Sequence, residues 1–379
     1  MNSFKMATKV YSGKQAISCL KDFHCKRALI ISDPFMVTSG MVDNVTEILN
    51  EASVPYEIFS EIVPDPTIEV VTKGVACTAQ FQPDLMIALG GGSALDTAKV
   101  VRQIYQQVEI DNAVQLVCIP TTSGTGSEVT SFAVISDPSV NGKYALVDED
   151  MIPNVAILDP IFTLTVPSNI TADTGIDVLT HTLEAYVSTD ATDFTDACAE
   201  KAMRIIWQNL AHIVENGEDE VAREKVHNAS CLAGMAFSEA SLGICHSLAH
   251  ALGGRFHIPH GRANAILLPH VISFNAGLET SCDTKALIKY AEAANLLGLQ
   301  AMTPRTTVNL LIAGIQKMTH KMSIPKFVTG LGIDEAEFKA AIPTMVEAAL
   351  KDKCTLTNPR PVKAADLAEI YARMCRGVY

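Results

Sequence analysis

Half of the ten histidines in this 379-residue chain, His246, His250, His257, His260 and His270, fall within 25 residues. Apolar residues surround them, so the tract is no solvated tag. His246 and His250 are four apart in a stretch of helical spacing, which sets both rings on one helix face. Upstream, Asp177 and His181 repeat the spacing inside Gly175-Ile-Asp-Val-Leu-Thr-His-Thr-Leu-Glu184. A carboxylate and an imidazole one turn apart can hold a divalent cation from one side. A second pair, or a loop, can close the shell from the other. A lone buried histidine is more often a hydrogen-bonded core residue than a ligand; two such clusters together favour a metal. No cysteine pair lies near, which argues against a structural zinc site, and Cys245 reads as packing. His257 and His270 read as supporting or core residues.

Two glycine loops suit a different ligand. Gly90-Gly-Gly-Ser93 follows a predicted strand and opens a predicted helix. Glycines let a phosphate approach the backbone, and a helix N-terminus offers unpaired N–H groups and a positive dipole end. Pro120-Thr-Thr-Ser-Gly-Thr-Gly-Ser-Glu128 follows the next strand and adds hydroxyl donors. Neither is the common G-x-G-x-x-G fingerprint, and one such loop alone is equally well a turn with a helix cap. Two of them at the carboxyl ends of consecutive strands lie where open α/β sheets bind ligands. Asp33 ends the first predicted strand. There it can accept hydrogen bonds from an adenosine ribose, or simply start a turn with Pro34.

The elements that must carry these groups alternate through the first 165 residues. Residues 27–32, 56–59, 85–89 and 115–119 read as strands; 38–51, 67–82 and 94–107 read as helices. Such a β-α-β rhythm predicts a Rossmann-like parallel sheet with helices on both faces. Continuous apolar strands fit burial on both sides. Residues 131–136, 143–147 and 155–158 are further strand-like pieces, and 4–12 resembles an edge strand. Beyond about Pro167 the pattern turns Ala-, Leu- and Met-rich with helical spacing, as in 193–216, 220–240 and 333–352. The expected organisation is an α/β nucleotide-binding domain over 1–165 and an all-helical metal-binding and catalytic domain over 166–379.

Composition narrows the function. With 29 basic and 42 acidic residues the net charge is −13, and no basic run exists, so nucleic acid is a poor partner. No apolar stretch reaches the roughly 18–20 residues that span a bilayer. The N-terminus lacks the apolar core of a secretory signal. Ten scattered cysteines without C-x-x-C read as reduced thiols, in line with a cytoplasmic location.

On these residues the chain resembles the iron-containing (group III) alcohol dehydrogenases, from about Tyr11 to Tyr379. The motifs are Gly90–Lys99, Pro120–Glu128, Thr174–His181, and His246-Ser-Leu-Ala-His250 through His260-Gly261. Within the family it looks nearest the propanol and ethanol dehydrogenases of bacterial microcompartments, supported by Val63–Ile68, Ser188–Asp196, Asn228–Ser238 and Thr357–Pro361. The resemblance implies four ligands of a ferrous ion, Asp177, His181, His246 and His260, with His250 a non-ligand histidine near the substrate and the candidate catalytic residue. It places Asp33, Gly92, Ser93, Thr121, Thr122, Thr125, Thr130 and Lys143 around NAD(H). It implies a homodimer or larger homo-oligomer, and a microcompartment with its shell protein as a candidate location and partner. Asp65, Glu239, Ser241 and Ala251 depart from the family's usual residues and bear on pocket shape.

The expected reaction is the reversible, NADH-dependent reduction of a small aliphatic aldehyde, propionaldehyde or acetaldehyde, to the primary alcohol. The metal acts as Lewis acid, and His250, or a water or ribose-hydroxyl relay through it, is the candidate proton donor. Two rivals share the architecture: a zinc-dependent alcohol or polyol dehydrogenase, and a dehydroquinate synthase-like lyase. The lyase needs a basic cluster for a phosphate-bearing substrate, and near the histidines only Arg255 and Arg262 are on offer.

Overall fold

The computed structural model describes residues 4–109, 113–138, 142–280 and 284–375, without the side chain of Lys143. The chain forms two compact units. One comprises Lys5–Val166 together with Glu218–Gly234; the other comprises Phe4, Pro167–Gly217 and the chain from Met235 onward.

In the first unit, β1 (Lys9–Ser12), β2 (Ala28–Ser32), α1 (Pro34–Thr38), α2 (Asp43–Glu51) and β3 (Tyr56–Phe59) are followed by α3 (Ile68–Phe81). Then come β4 (Leu85–Gly90), α4 (Gly92–Val108), β5 (Gln115–Pro120), β6 (Phe132–Asp137), β7 (Gly142–Val147) and β8 (Val155–Leu158). Six strands make a parallel sheet in the order β1-β8-β5-β4-β2-β3. β6 and β7 form a separate antiparallel hairpin. Every residue of β2 and β4 is buried, because alternate side chains feed two different cores. Leu29, Ile31, Met86 and Ala88 pack against Val71, Leu95 and Tyr105 from α3 and α4. Ala28, Ile30, Leu85 and Ile87 face Val45, Ile48 and Leu49 of α2. A continuous apolar run is therefore what a strand covered on both faces requires.

Register carries the candidate residues to one edge. Ser32 is paired with Leu89, and Gly90 with Pro120, so β2, β4 and β5 end level with one another. Asp33 and both glycine loops emerge there side by side. The helix expected over 38–51 starts only at Asp43; a short α1 precedes it and a turn at 39–42, where Gly40 adopts φ 74°, separates the two.

The second unit contains only helices among its described elements: α5 (Ser168–Val187), α6 (Asp193–Glu215), the end of α7 (Glu220–Ala240), α8 (Ile244–Phe256), α9 (His260–Asn275), α10 (Lys285–Leu296), α11 (Pro304–Lys321), α12 (Glu335–Lys351) and α13 (Ala364–Arg373), with short 3-10 turns. No described helix is long and apolar enough to cross a membrane.

Candidate metal centre and nucleotide loops

Four of the residues singled out in the sequence converge within the helical unit. α5 supplies Asp177 and His181, α8 supplies His246, and the first residue of α9 is His260. One ligand atom from each lies within 4.8 Å of all the others. Asp177 Oδ1 is 3.6 Å from both His246 Nε2 and His260 Nε2, and Asp177 Oδ2 is 3.9 Å from His181 Nε2. Asp177, His181 and His246 are buried, whereas the His260 side chain is 39% exposed. His181 stacks on His246 and on Phe237, with centroids 4.7 and 4.5 Å away. Three imidazoles and one carboxylate turned toward a common point form a nitrogen/oxygen set that fits a first-row divalent cation. A cation between them would satisfy all four donors at once.

Electrostatics follow from this crowding. Burial works against the Asp177 carboxylate, but His260, His181 and His246 hold it well below the usual range. Burial opposes the charging of His246 too, yet Asp177 and Glu184 on either side raise it to about 9. Loss of water around its inward-facing ring edge, with His250, His246 and His181 alongside, lowers His260 below its ordinary range against the pull of Asp177, although its outer flank is exposed. A metal taking these nitrogens displaces a proton from His246.

Two further residues complete the arrangement, and neither was assigned from sequence. Glu184, on α5 with the first pair, accepts from His246 Nδ1 at 2.5 Å and from the Cys245 backbone N–H at 2.7 Å. It therefore serves an orphan donor of the first turn of α8 while holding the ring. Its approach depends on Gly243, where a Cβ would lie 2.8 Å from Glu184 Oε1. Asn264, fully buried on α9, donates to Asp177 Oδ1 at 2.7 Å, with its amide nitrogen 3.2 Å from His246 Nε2 and from His260 Nε2. Its Oδ1 is buried and has no partner among the described residues. Asn264 is one turn past His260, so the spacing that found the other pairs reaches it as well.

His250 lies on the rim, its ring parallel to that of His260 at 5.1 Å, and its side chain is 42% exposed. His257 is exposed and ends α8 with φ 54°, and is not part of the centre. His270 is half-buried on α9, where burial lowers it to about 4. Cys245 is buried against the Asn264 carbonyl, at 3.6 Å.

In the sheet unit the two glycine loops interlock. A Cβ on Gly92 would meet the Thr125 methyl at 2.8 Å, and one on Gly91 would lie 3.5 Å from Thr122 Oγ1. The Thr121 backbone N–H donates to the Gly90 carbonyl. Gly91 is the N-cap of α4, so Gly92 and Ser93 open that helix with their N–H groups outward. Asp33 does two things at once. Oδ1 caps α1 by accepting from Met36 N at 3.0 Å, and Oδ2 stands 3.2 Å from where a Cβ on Gly90 would sit. Thr130 accepts from Lys99 Nζ, a fully buried ammonium that also donates to the Phe132 carbonyl. Asp96 takes Ser127 Oγ at 2.6 Å and the Val134 N–H at 2.9 Å. Asp96 and Lys99 thus tie α4 to the second loop, a role the sequence reading left unassigned. Lys143 is on β7, and its side chain lies outside the described residues.

Helix α7 braces the second loop from below. Ser123 Oγ is 2.9 Å from His227 Nδ1, and Gly126 packs so closely on Gly234 that a Cβ on Gly126 would meet its Cα at 2.6 Å. Burial, with Arg223 adding to it and the Pro120 carbonyl opposing, lowers His227 to about 4.

A parallel-sheet unit with paired glycine loops, joined in sequence to helices bearing a three-histidine, one-aspartate centre, defines the class. Residues 7–160 match the iron-containing alcohol dehydrogenase model, and residues 171–375 match the C-terminal model of the same family. The chain belongs to the iron-containing alcohol dehydrogenase family and is an oxidoreductase. It is 46% identical over 372 residues to the 1-propanol dehydrogenase PduQ of Salmonella typhimurium, covering 98% of this chain and 99% of the relative. It is 40% identical over 386 residues to the NADPH-dependent butanol dehydrogenase of Clostridium saccharobutylicum, covering 98% and 97%. The crystal structure of an iron-containing alcohol dehydrogenase from Thermococcus thioreducens superposes with a TM-score of 0.91 at 31% identity, covering 99% of this chain and all of the other.

Proposed function

We propose that the chain reduces small aliphatic aldehydes, propionaldehyde or acetaldehyde, to primary alcohols with NADH, reversibly, at one ferrous ion held by Asp177, His181, His246 and His260. The observation that carries this reading is the convergence of those four ligand atoms within 4.8 Å. When bound, the ion supplies Lewis-acid polarisation of the carbonyl oxygen and the nicotinamide supplies the hydride. The protein's own groups do the rest. Glu184 and Asn264 orient His246 and Asp177. Gly92, Ser93, Thr121, Thr122 and Thr125 cradle the dinucleotide with Thr130 and Lys143, and Asp33 takes the adenosine ribose. His250 passes a proton from its imidazole to the alkoxide oxygen. The sheet domain is the nucleotide-binding part and the helical domain the catalytic part. The working form is a homodimer or larger homo-oligomer, in the cytoplasm or inside a microcompartment against its shell protein.

Arg262 is bonded to Asp173 at 3.0 Å and Arg255 to Glu337 at 3.3 Å. The guanidinium groups near the histidines are thus neutralised by carboxylates, which speaks against a phosphate-anchoring lyase. The donor set also suits zinc. Metal analysis of anaerobically purified protein, with NADH oxidation followed on propionaldehyde, succinic semialdehyde and glyceraldehyde, tests the proposal. Stoichiometric iron, inactivation in air, recovery with Fe²⁺ and the highest kcat/KM on propionaldehyde are expected. Stoichiometric zinc with full activity replaces iron in the reading, and a better acidic or hydroxylated substrate replaces the aldehyde.

A further inference from the structure

A second knot of polar groups lies beside the four converging ones and is built around Asp352, at the C-terminal cap of α12. Asp352 Oδ2 accepts from His250 Nδ1 at 2.8 Å. Oδ1 accepts from the Cys354 backbone N–H at 2.8 Å and from Ser247 Oγ at 3.3 Å. Ser247 is itself fully buried one turn before His250 is reached, and Thr355 Oγ1 sits 2.8 Å from its hydroxyl. The carboxylate is thus held by three groups from two elements, Ser247 and the His250 ring of α8 and the Cys354 N–H of the 3-10 turn Lys353–Thr357.

His250, Asp352 and Cys354 could be read as a second metal site, since their donor atoms lie within 4.8 Å. The hydrogen bonds argue otherwise. Both Asp352 oxygens already have partners, and burial with Asp352's charge raises the Cys354 thiol well above its ordinary range. The cluster is a hydrogen-bond hub.

An imidazole with a 42% exposed side chain has two ring orientations and two tautomers open to it, and only some of these present a usable nitrogen. Here Nδ1 is engaged, and Nε2 has no partner among the described residues. We propose that Asp352 is a positioning residue for His250, holding the Nδ1 proton and the ring plane so that Nε2 is the nitrogen offered to substrate. This rests on the reading of His250 as proton donor. In that step the Nε2 proton passes to the alkoxide oxygen. The ring is left neutral with its remaining proton on Nδ1, and solvent returns the proton that was spent.

The test is a double-mutant cycle on iron-loaded enzyme with propionaldehyde, comparing Asp352→Asn, His250→Gln and the double variant, with iron content and NADH affinity measured alongside. Asp352→Asn should lower kcat about 10- to 100-fold, while aldehyde KM, iron content and NADH affinity stay within about twofold. Asp352→Glu should recover part of the loss. In the His250→Gln background, Asp352→Asn should cost less than about twofold more, because the group it positions is already gone. Ser247→Ala removes one anchor of Asp352 without touching His250, and should lower kcat about two- to fivefold. It keeps the test decisive should Asp352→Asn fail to fold. Multiplicative losses in the double variant, iron loss in Asp352→Asn, or unchanged kcat in both Asp352→Asn and Ser247→Ala would overturn the proposal. Full activity in His250→Gln would overturn the assignment of His250 itself, and so marks a different failure.

Discussion

Glu184 and His246 meet at 2.5 Å, carboxylate oxygen to Nδ1, with each side chain 1% exposed. The acceptor fixes a proton on Nδ1 and leaves Nε2 to face Asp177. Carboxylate partners of metal-binding imidazoles set ring orientation and basicity, and their removal typically weakens metal binding about 10- to 100-fold. Glu184→Gln should therefore weaken Fe²⁺ binding by that factor, measured by competition with a chromophoric chelator. Unchanged affinity would remove Glu184 from the centre.

His246 and His260 should differ when deleted, although both are assigned as ligands. Either alanine variant should lose stoichiometric iron and activity. His246→Ala also strips the buried Glu184 of its ring partner, at a cost of about 3 kcal/mol. His260 has an exposed flank and no carboxylate behind it. Urea unfolding of the metal-free variants should show His246→Ala clearly less stable than His260→Ala; equal midpoints would contradict the argument.

Asp33 should set cofactor choice. Its Oδ1 is spent on capping α1, which leaves Oδ2 for a ribose. A 2′-phosphate about 4 Å from a carboxylate costs roughly 4 kcal/mol at an effective dielectric of 20. Screening leaves about 2–3 kcal/mol, or about 30- to 200-fold in favour of NADH. Asp33→Asn keeps an equally good cap and removes the charge, so it should improve NADPH use with little change in stability. Steady-state kinetics with both cofactors decide it: an unchanged NADH/NADPH ratio takes Asp33 out of the nucleotide site.

His227 should make stability pH-dependent. Its pKa is lowered on folding, to about 4 from an unfolded value near 6.5. Between those values the unfolded chain binds the extra proton, so this contribution is complete above about pH 6.5 and is lost as pH falls toward 4. From pH 7 to pH 5 the loss is about 2 kcal/mol. His227→Gln should cancel that part of the slope. Urea unfolding at the two pH values, wild type against variant, measures the difference; parallel slopes would mean that His227 titrates alike in both states.

How far the sequence spoke depended on whether a signal was local. β2 and β4 were legible because strands covered on both faces are unbroken apolar runs, and Asp177 with His181 because one helical turn puts i and i+4 together; His260, on a different helix from His246, was reached only through the family resemblance. Asn264 obeys that same rule from His260 and could have been read. Glu184 could not: its partners are the first N–H groups of a helix that begins some sixty residues later, and only the absence of a side chain at Gly243 admits it. Asp352 meets His250 across 102 residues, with nothing in either neighbourhood to announce the pairing. The turn at 39–42 was missed because Gly40, which bends the backbone through a positive φ, lies beside a helical apolar pattern that runs into α2. His227, in a segment whose helical spacing resembles its neighbours, gave no hint that it braces a loop of the sheet.

Gly261 has a bearing on ion size. A Cβ there would collide with the Asp173 carbonyl and lie 3.2 Å from the Asp177 Cβ, so α9 rests on α5 backbone to backbone beside the donors. The gap between Asp177 and His260 is set by main chain, which cannot lengthen as a rotamer can, and Glu184 restrains His246 from the side. Such a cage fits ions that bond nitrogen at about 2.0–2.1 Å, as zinc does. Calcium, which wants six to eight oxygens at about 2.3–2.6 Å, finds neither the reach nor the donors. The missing methyl group at Gly261 would thus add a limit on reach to the selection already made by the nitrogen-rich donors.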